Sequence, residues 1–245
     1  MAEEEPVFET TTGPPRIITA ASLFDGHDAA INVMRRLIQS AGAEVIHLGH
    51  DQSAKAVVDC AIQEDAHGVA LTSYQGGHVE YFTYIRQLLD EAGCKHIRIF
   101  GGGGGTITPP EIKTLHESGI SKIYSPDDGR TMGLMGMIHH LMGIASEVDL
   151  IHSDRIASLS GPVTPEDTAK VGLLLTMSES ADDKTFKSTL EKCRSSEKEV
   201  PVIGFTGTGG AGKSSLLDEL MLRILRDNPG KKVCLLCVDP TRKRT

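Results

Sequence analysis

Positive charge is scarce in this chain of 245 residues: 25 lysines and arginines stand against 33 aspartates and glutamates, giving a formal charge of −8. That balance excludes a general nucleic-acid or anionic-membrane binder and directs attention to small-molecule ligands. Also missing is any apolar run near the roughly 20 residues that cross a bilayer. The opening Met1-Ala2-Glu3-Glu4-Glu5 has neither the basic residues nor the apolar stretch of a signal peptide, so a cytoplasmic protein is expected. Five cysteines, Cys60, Cys94, Cys193, Cys234 and Cys237, form an odd, scattered set that argues against a disulfide framework. Cys234 and Cys237 make one C-x-x-C, but the apolar run 233–238 around them reads as a buried strand, whose residues three apart face opposite sides. What the chain does have is 39% hydrophobic residues, enough to fill a core and exclude a disordered tail.

The pattern predicts an α/β protein in several parts: an N-terminal tail at 1–15, a first domain at 16–146, a helical linker at 147–199 and a second α/β domain beginning at 200–245. In the first domain, β-rich runs at 16–23, 44–48, 68–73, 96–100 and 122–124 alternate with amphipathic stretches at 29–40, 54–65, 79–92, 110–117 and 130–144. That alternation is the signature of βα units on a parallel sheet, here a flavodoxin-like, doubly wound, Rossmann-like one. The linker carries breaks at Ser160-Gly161-Pro162 and Pro165, then two polar helices at 166–177 and 183–197; it either joins the domains or packs on the second. Strands are expected at 200–205 and 232–238 around a helix at 214–226. Two strands cannot bury both faces of a parallel sheet, so the chain is expected to be part of a longer protein.

The sharpest motif is Gly207-Thr208-Gly209-Gly210-Ala211-Gly212-Lys213-Ser214, a complete G-x-x-x-x-G-K-[ST] between an expected strand and an expected helix. In such a P-loop the backbone N–H groups, here from Gly207, Gly210, Ala211 and Gly212 through Ser215, curl around the phosphates of a nucleoside triphosphate. Lys213 reaches the β- and γ-phosphates, and the Ser214 hydroxyl coordinates Mg²⁺. Asp239, at the end of the next expected strand, is placed to complete the Mg²⁺ shell.

A second candidate site lies in the first domain. Strand 1 runs into Asp25-Gly26-His27, strand 3 into Thr72-Ser73-Tyr74, and strand 4 into Gly101 through Gly105. In a strand order of 2-1-3-4-5 these loops converge on the crevice at the switch point between strands 1 and 3. The glycine run is no dinucleotide fingerprint, because Thr106 stands where G-x-G-x-x-G needs its last glycine. His27 with Asp25 two residues earlier suits a metal-ligating imidazole whose other nitrogen is held by a carboxylate, although a capped turn is the plainer alternative. His47-x-x-His50 and His139-His140 lack the further ligands of a closed zinc site and read as loop or helix-surface residues.

Asp25-x-His27-x-x-Ala30, Thr72-Ser73-Tyr74 and Gly101-Gly102 resemble the D-x-H-x-x-G, S-x-L and G-G elements of the cobalamin-binding domain shared by methylmalonyl-CoA mutase and methionine synthase. The resemblance covers 16–145; Ala30, Thr72 and Tyr74 depart from the pattern. The P-loop with Val238-Asp239-Pro240 is similar to that of the G-protein chaperones of these mutases, and the order of parts resembles the fused isobutyryl-CoA mutases. The resemblance implies adenosylcobalamin bound with its own base displaced and His27 as the lower cobalt ligand, polarised by Asp25. It implies that the nucleotide tail descends beside Thr72, Ser73, Tyr74, Gly101 and Gly102. It further implies GTP and Mg²⁺ at the P-loop, an acyl-CoA substrate bound elsewhere in the full-length protein, and a homo-oligomer.

Two other readings remain open from the residues. A cobalamin-responsive regulatory or delivery GTPase without isomerase activity would show the same motifs and lack a substrate barrel. A receiver-like signalling domain would need an acceptor aspartate ending strand 3, where Thr72-Ser73 stands instead.

Overall fold

A computed structural model describes residues 6–194 and 200–237. It divides into two compact units, at 1–196 and 197–245. In the first, β1 (Arg16–Ser22), β2 (Glu44–Gln52), β3 (Gly68–Thr72), β4 (Arg98–Gly102) and β5 (Lys122–Tyr124) form one sheet of order β2-β1-β3-β4-β5. All four ladders are parallel. The doubly wound order expected from the alternation is present. Central β1 and β3 are buried almost throughout, as a parallel sheet covered on both faces requires.

The crossover helices are α1 (Asp28–Ser40), α2 (Ala54–Gln63), α3 (His78–Glu91), α4 (Pro109–Glu117) and α5 (Pro126–Ser146). Helices α2, α3 and α4 cover one face, where Val57, Phe82, Leu89 and Leu115 pack with Ile18, Val69 and Ile99. Helices α1 and α5 cover the other, where Ile38, Ile138 and Leu141 pack with Ile17, Ala70 and Phe100. Capping boxes start α4 at Thr108 with Glu111 and α5 at Ser125 with Asp128, each worth about 1 kcal/mol. The second lets α5 begin at Pro126, four residues before the amphipathic pattern starts. Its course then kinks at Gly133.

The segment expected as a linker folds onto this unit. It forms α6 (Ser153–Ser158), α7 (Thr168–Ser180) and α8 (Asp183–Cys193), with a small core of Leu159, Leu173, Met177 and Cys193. Helix α7 lies close on the end of α2: a Cβ at Gly172 would stand 2.9 Å from the Ile62 carbonyl oxygen. Arg155 donates to the buried Asp65 carboxylate at 2.6 Å. A partner for a buried carboxylate is a strong anchor, and sequence periodicity does not reveal it. Residues of the expected tail also pack here, Phe8 against His139 and Thr10 beside His67.

In the second unit α9 (Lys213–Asp227) forms as expected. Of the strands expected at 200–205 and 232–238, the runs 200–205 and 232–237 have no ladder partner among the described residues, Val202, Ile203 and Leu236 are exposed, and Val238 lies outside the described residues. Cys234 and Cys237 are exposed as well. A parallel strand is held by neighbours on both sides, and neither run has one among the described residues. Among the described residues, no helix is long and apolar enough to cross a membrane.

Candidate functional site

The loops after β1, β3 and β4 meet at the carboxyl edge of the sheet, and the meeting is made by hydrogen bonds. Ser73 donates its N–H to the Gly102 carbonyl at 2.9 Å, and its hydroxyl lies 2.9 Å from that of Ser22, both buried. Gly103 passes so close to Ser73 that a Cβ there would overlap the Ser73 carbonyl oxygen, so only glycine permits the approach. Gly101 is glycine for a different reason. Its missing Cβ faces α3, where it would stand 2.5 Å from Phe82, while its backbone still borders the cavity described next.

That cavity, about 480 Å³, opens between α1 and α5 over the ends of β3 and β4. The volume is in the range of roughly 300–1,000 Å³ found for small-molecule sites. Its walls are mainly apolar, including Ile31, Met34, Phe100, Tyr124 and Met137, and Gly102 and Thr72 line it too. The Thr72 hydroxyl is buried with no hydrogen-bond partner. A buried hydroxyl left so is costly unless a ligand satisfies it.

Asp25 and His27 stand at the same edge. The Asp25 carboxylate is fully buried and accepts three hydrogen bonds: from His27 N–H at 3.0 Å, His27 Nδ1 at 2.7 Å and Tyr74 N–H at 2.6 Å. Burial pushes its pKa up, but the Tyr74 and His27 donors outweigh that and hold it below the ordinary carboxylate range. With Nδ1–H donated to a carboxylate, Nε2 carries the free lone pair of the ring. The His27 side chain is 62% exposed, so that lone pair is accessible. Tyr74 backs the imidazole, with ring centroids 5.5 Å apart, and itself packs on Gly104.

The other sequence-level histidines have structural partners. His47 and His50 lie in β2, not in a loop, and His47 stands beside the Thr19 hydroxyl at 2.9 Å. His140 stands 3.0 Å from the Tyr124 hydroxyl at the cavity wall. Among the described residues no group of histidines, cysteines and carboxylates is assembled to hold a metal by itself.

In the second unit Gly210 and Gly212 adopt left-handed φ of 75° and 79°, and Gly212 caps α9. The loop curls tightly enough for Lys213 Nζ to donate to the carbonyls of Gly207 and Thr208, both at 2.8 Å. Ser214 and Ser215 follow in the first turn of α9, the end of a helix whose unpaired N–H groups suit an anion. Asp239 lies outside the described residues.

Comparison with known families fits both geometries. Residues 15–123 match the B12 binding domain, and residues 171–245 match the methylmalonyl Co-A mutase-associated GTPase MeaB. The chain is 49% identical over 237 residues to the fused isobutyryl-CoA mutase of Geobacillus kaustophilus and 48% identical over 232 residues to that of Nocardia farcinica; each match covers 94% of this chain. It is also 34% identical over 115 residues to the 2-hydroxyisobutanoyl-CoA mutase small subunit of Aquincola tertiaricarbonis, covering 46% of this chain and 82% of that subunit. The chain belongs to the family of that mutase small subunit, and along its length it is similar to the fused isobutyryl-CoA mutases. It spans 22% and 21% of the length of the two fused relatives. Asp25, His27, Thr72, Ser73, Tyr74, Gly101 and Gly102 all fall within the B12-binding match, and the P-loop within the GTPase match. The GTPase match begins inside α7, so by sequence α7 and α8 go with the GTPase, although α7 packs on α2 of the cobalamin-binding unit and α8 packs on α7.

The residues present fit cobalamin. A cobalt ligand needs an accessible imidazole nitrogen of fixed tautomer, which Asp25 and His27 provide. A displaced nucleotide tail needs an apolar slot with a free polar contact, which the cavity and Thr72 provide.

Proposed function

We propose that this chain is the cofactor-holding portion of an adenosylcobalamin-dependent acyl-CoA mutase, joined to the start of a GTPase chaperone that supports cofactor loading and protection. The observation that carries the reading is the Asp25-held His27, an exposed imidazole beside Tyr74, which itself lines the cavity. When bound, adenosylcobalamin supplies a carbon radical by cobalt–carbon homolysis. His27 would hold the cobalt through Nε2, and Asp25 would keep the Nδ1 proton and the ring plane in place. Thr72, Ser73, Tyr74, Gly101 and Gly102 would hold the nucleotide tail, Thr72 through its hydroxyl, Gly102 by letting the backbone approach and Gly101 through the backbone that borders the cavity.

The reaction we assign to the full-length protein is the rearrangement of isobutyryl-CoA to n-butyryl-CoA. In it, the residues of this chain would bind and orient the cofactor. Lys213 and the N–H groups of Gly207, Gly210, Ala211, Gly212 and Ser215 would bind GTP, with Ser214 and Asp239 on its Mg²⁺. A cytoplasmic homo-oligomer is the setting we assign.

The test is isobutyryl-CoA isomerisation by the full-length protein with adenosylcobalamin, beside a His27→Ala variant. Turnover lost in the variant supports the reading. Cobalamin binding without isomerisation of any acyl-CoA would favour a delivery GTPase instead.

A further inference from the structure

His78, the first residue of α3, belongs to none of the motifs and is buried. Its Nδ1 lies 3.2 Å from the Gln75 carbonyl oxygen, and its buried Nε2 stands at ion-pair distance, 3.3 Å, from Glu111 Oε2 without hydrogen-bond geometry. The same Glu111 oxygen accepts from the Thr108 N–H at 2.8 Å and the Thr108 hydroxyl at 2.6 Å, in the capping box of α4. The Thr108 donors, with His78 beyond them, pull the Glu111 carboxyl down to about 2, so an ionised acceptor always faces the ring. One imidazole thus sits between the far end of the β3–α3 loop, which it hydrogen-bonds, and the capping carboxylate of α4, which it faces.

The near ends of those two loops form the candidate site, where Ser73 donates to Gly102 and Tyr74 donates its N–H to Asp25. Between Tyr74 and His78 lie only Gln75, Gly76 and Gly77, and a Gly-Gly pair costs more entropy to order than any other dipeptide. Left unpinned, that stretch would let the Tyr74 N–H drift off Asp25.

We propose that His78 is a positioning residue for cobalt ligation: held between Gln75 and Glu111, it fixes the 73–77 loop so that Tyr74 keeps Asp25, and Asp25 keeps His27, in one orientation. The proposal rests on the reading of His27 as the cobalt ligand. His78 itself touches neither the cofactor site nor His27.

The experiment is electron paramagnetic resonance of cob(II)alamin bound to the full-length protein, in wild type, His78→Ala, His78→Asn and Glu111→Gln. Glutamine preserves a capping box, so Glu111→Gln removes only the charge facing His78 and opens no cavity in the core. The expected result is one well-resolved set of imidazole nitrogen splittings in wild type. His78→Ala and Glu111→Gln should give weakened or heterogeneous splittings, with cobalamin retention lowered on the order of 10-fold, as for other outer-layer supports of a metal ligand. His78→Asn, whose amide can still donate to Gln75, should recover most of both. Wild-type spectra and retention in His78→Ala and Glu111→Gln would overturn the proposal and leave the role of His27 standing. Absence of imidazole splitting in wild type itself would overturn both.

Discussion

Asp25 Oδ1 lies 2.7 Å from His27 Nδ1, and the other oxygen of the same carboxylate accepts the Tyr74 N–H. Both carboxylate oxygens therefore act as acceptors, and an amide cannot replace them. In Asp25→Asn the new NH₂ must face either the imidazole N–H or the Tyr74 N–H. We expect cobalamin affinity to fall by about 10- to 100-fold, with the thermal midpoint changing far less than the affinity. Titration of adenosylcobalamin into the full-length variant measures it, and an unchanged affinity would show that Asp25 only caps a turn.

Adjacent glycines of the β4 loop should respond oppositely to alanine. A methyl at Gly103 overlaps the Ser73 carbonyl oxygen, so Gly103→Ala should destabilise the first unit by about 1–3 kcal/mol. At Gly102 the nearest atom to a new Cβ is Tyr124 O at 3.6 Å, and the methyl enters the cavity. Gly102→Ala should keep stability near wild type while weakening cobalamin. Urea unfolding and cobalamin titration of the two variants, side by side, check the contrast.

Acid sensitivity should come in part from His67. It is buried, its Nδ1 accepts the Arg16 N–H at 2.9 Å, and burial followed by the nearby Arg16 charge lowers its pKa from 6.5 to about 4. As pH falls below 6.5 the unfolded chain takes up this proton before the folded one does. The stability is therefore present above pH 6.5 and lost as pH falls toward 4, a contribution of about 2 kcal/mol between pH 7 and pH 5. Urea midpoints at the two pH values should differ more in wild type than in His67→Gln, and equal slopes would refute the assignment.

Lys213 Nζ donates to the carbonyls of its own loop, Gly207 and Thr208, where phosphate oxygens would take over its ammonium. Lys213→Ala in the full-length protein should abolish measurable GTP binding and leave adenosylcobalamin affinity as in wild type. Calorimetric titration of each ligand separates the two effects.

The sheet order and the three converging loops were legible because their signals are local: short β-rich runs, glycine punctuation and the positions where strands end. The P-loop was legible for the same reason. What escaped depends on partners distant in sequence. Asp65 and Arg155 are 90 residues apart, and nothing in either neighbourhood announces that α6 and α7 will dock on the first unit. Ser22 and His78 escaped likewise, because their partners Ser73 and Glu111 come from other loops. The runs 200–205 and 232–238 have strand composition, but composition cannot supply neighbours to pair with.

The central claim is that His27 of this chain takes the lower coordination position of cobalt in place of the cofactor's own base. The most direct measurement is electron paramagnetic resonance of cob(II)alamin, at natural isotope abundance, bound to full-length protein in which histidine alone is labelled with ¹⁵N. The account predicts that the three-line nitrogen splitting of the unlabelled protein becomes two-line, and that the His27→Ala protein shows neither. A three-line pattern persisting in the labelled protein would place the cofactor's own base on cobalt and contradict the account.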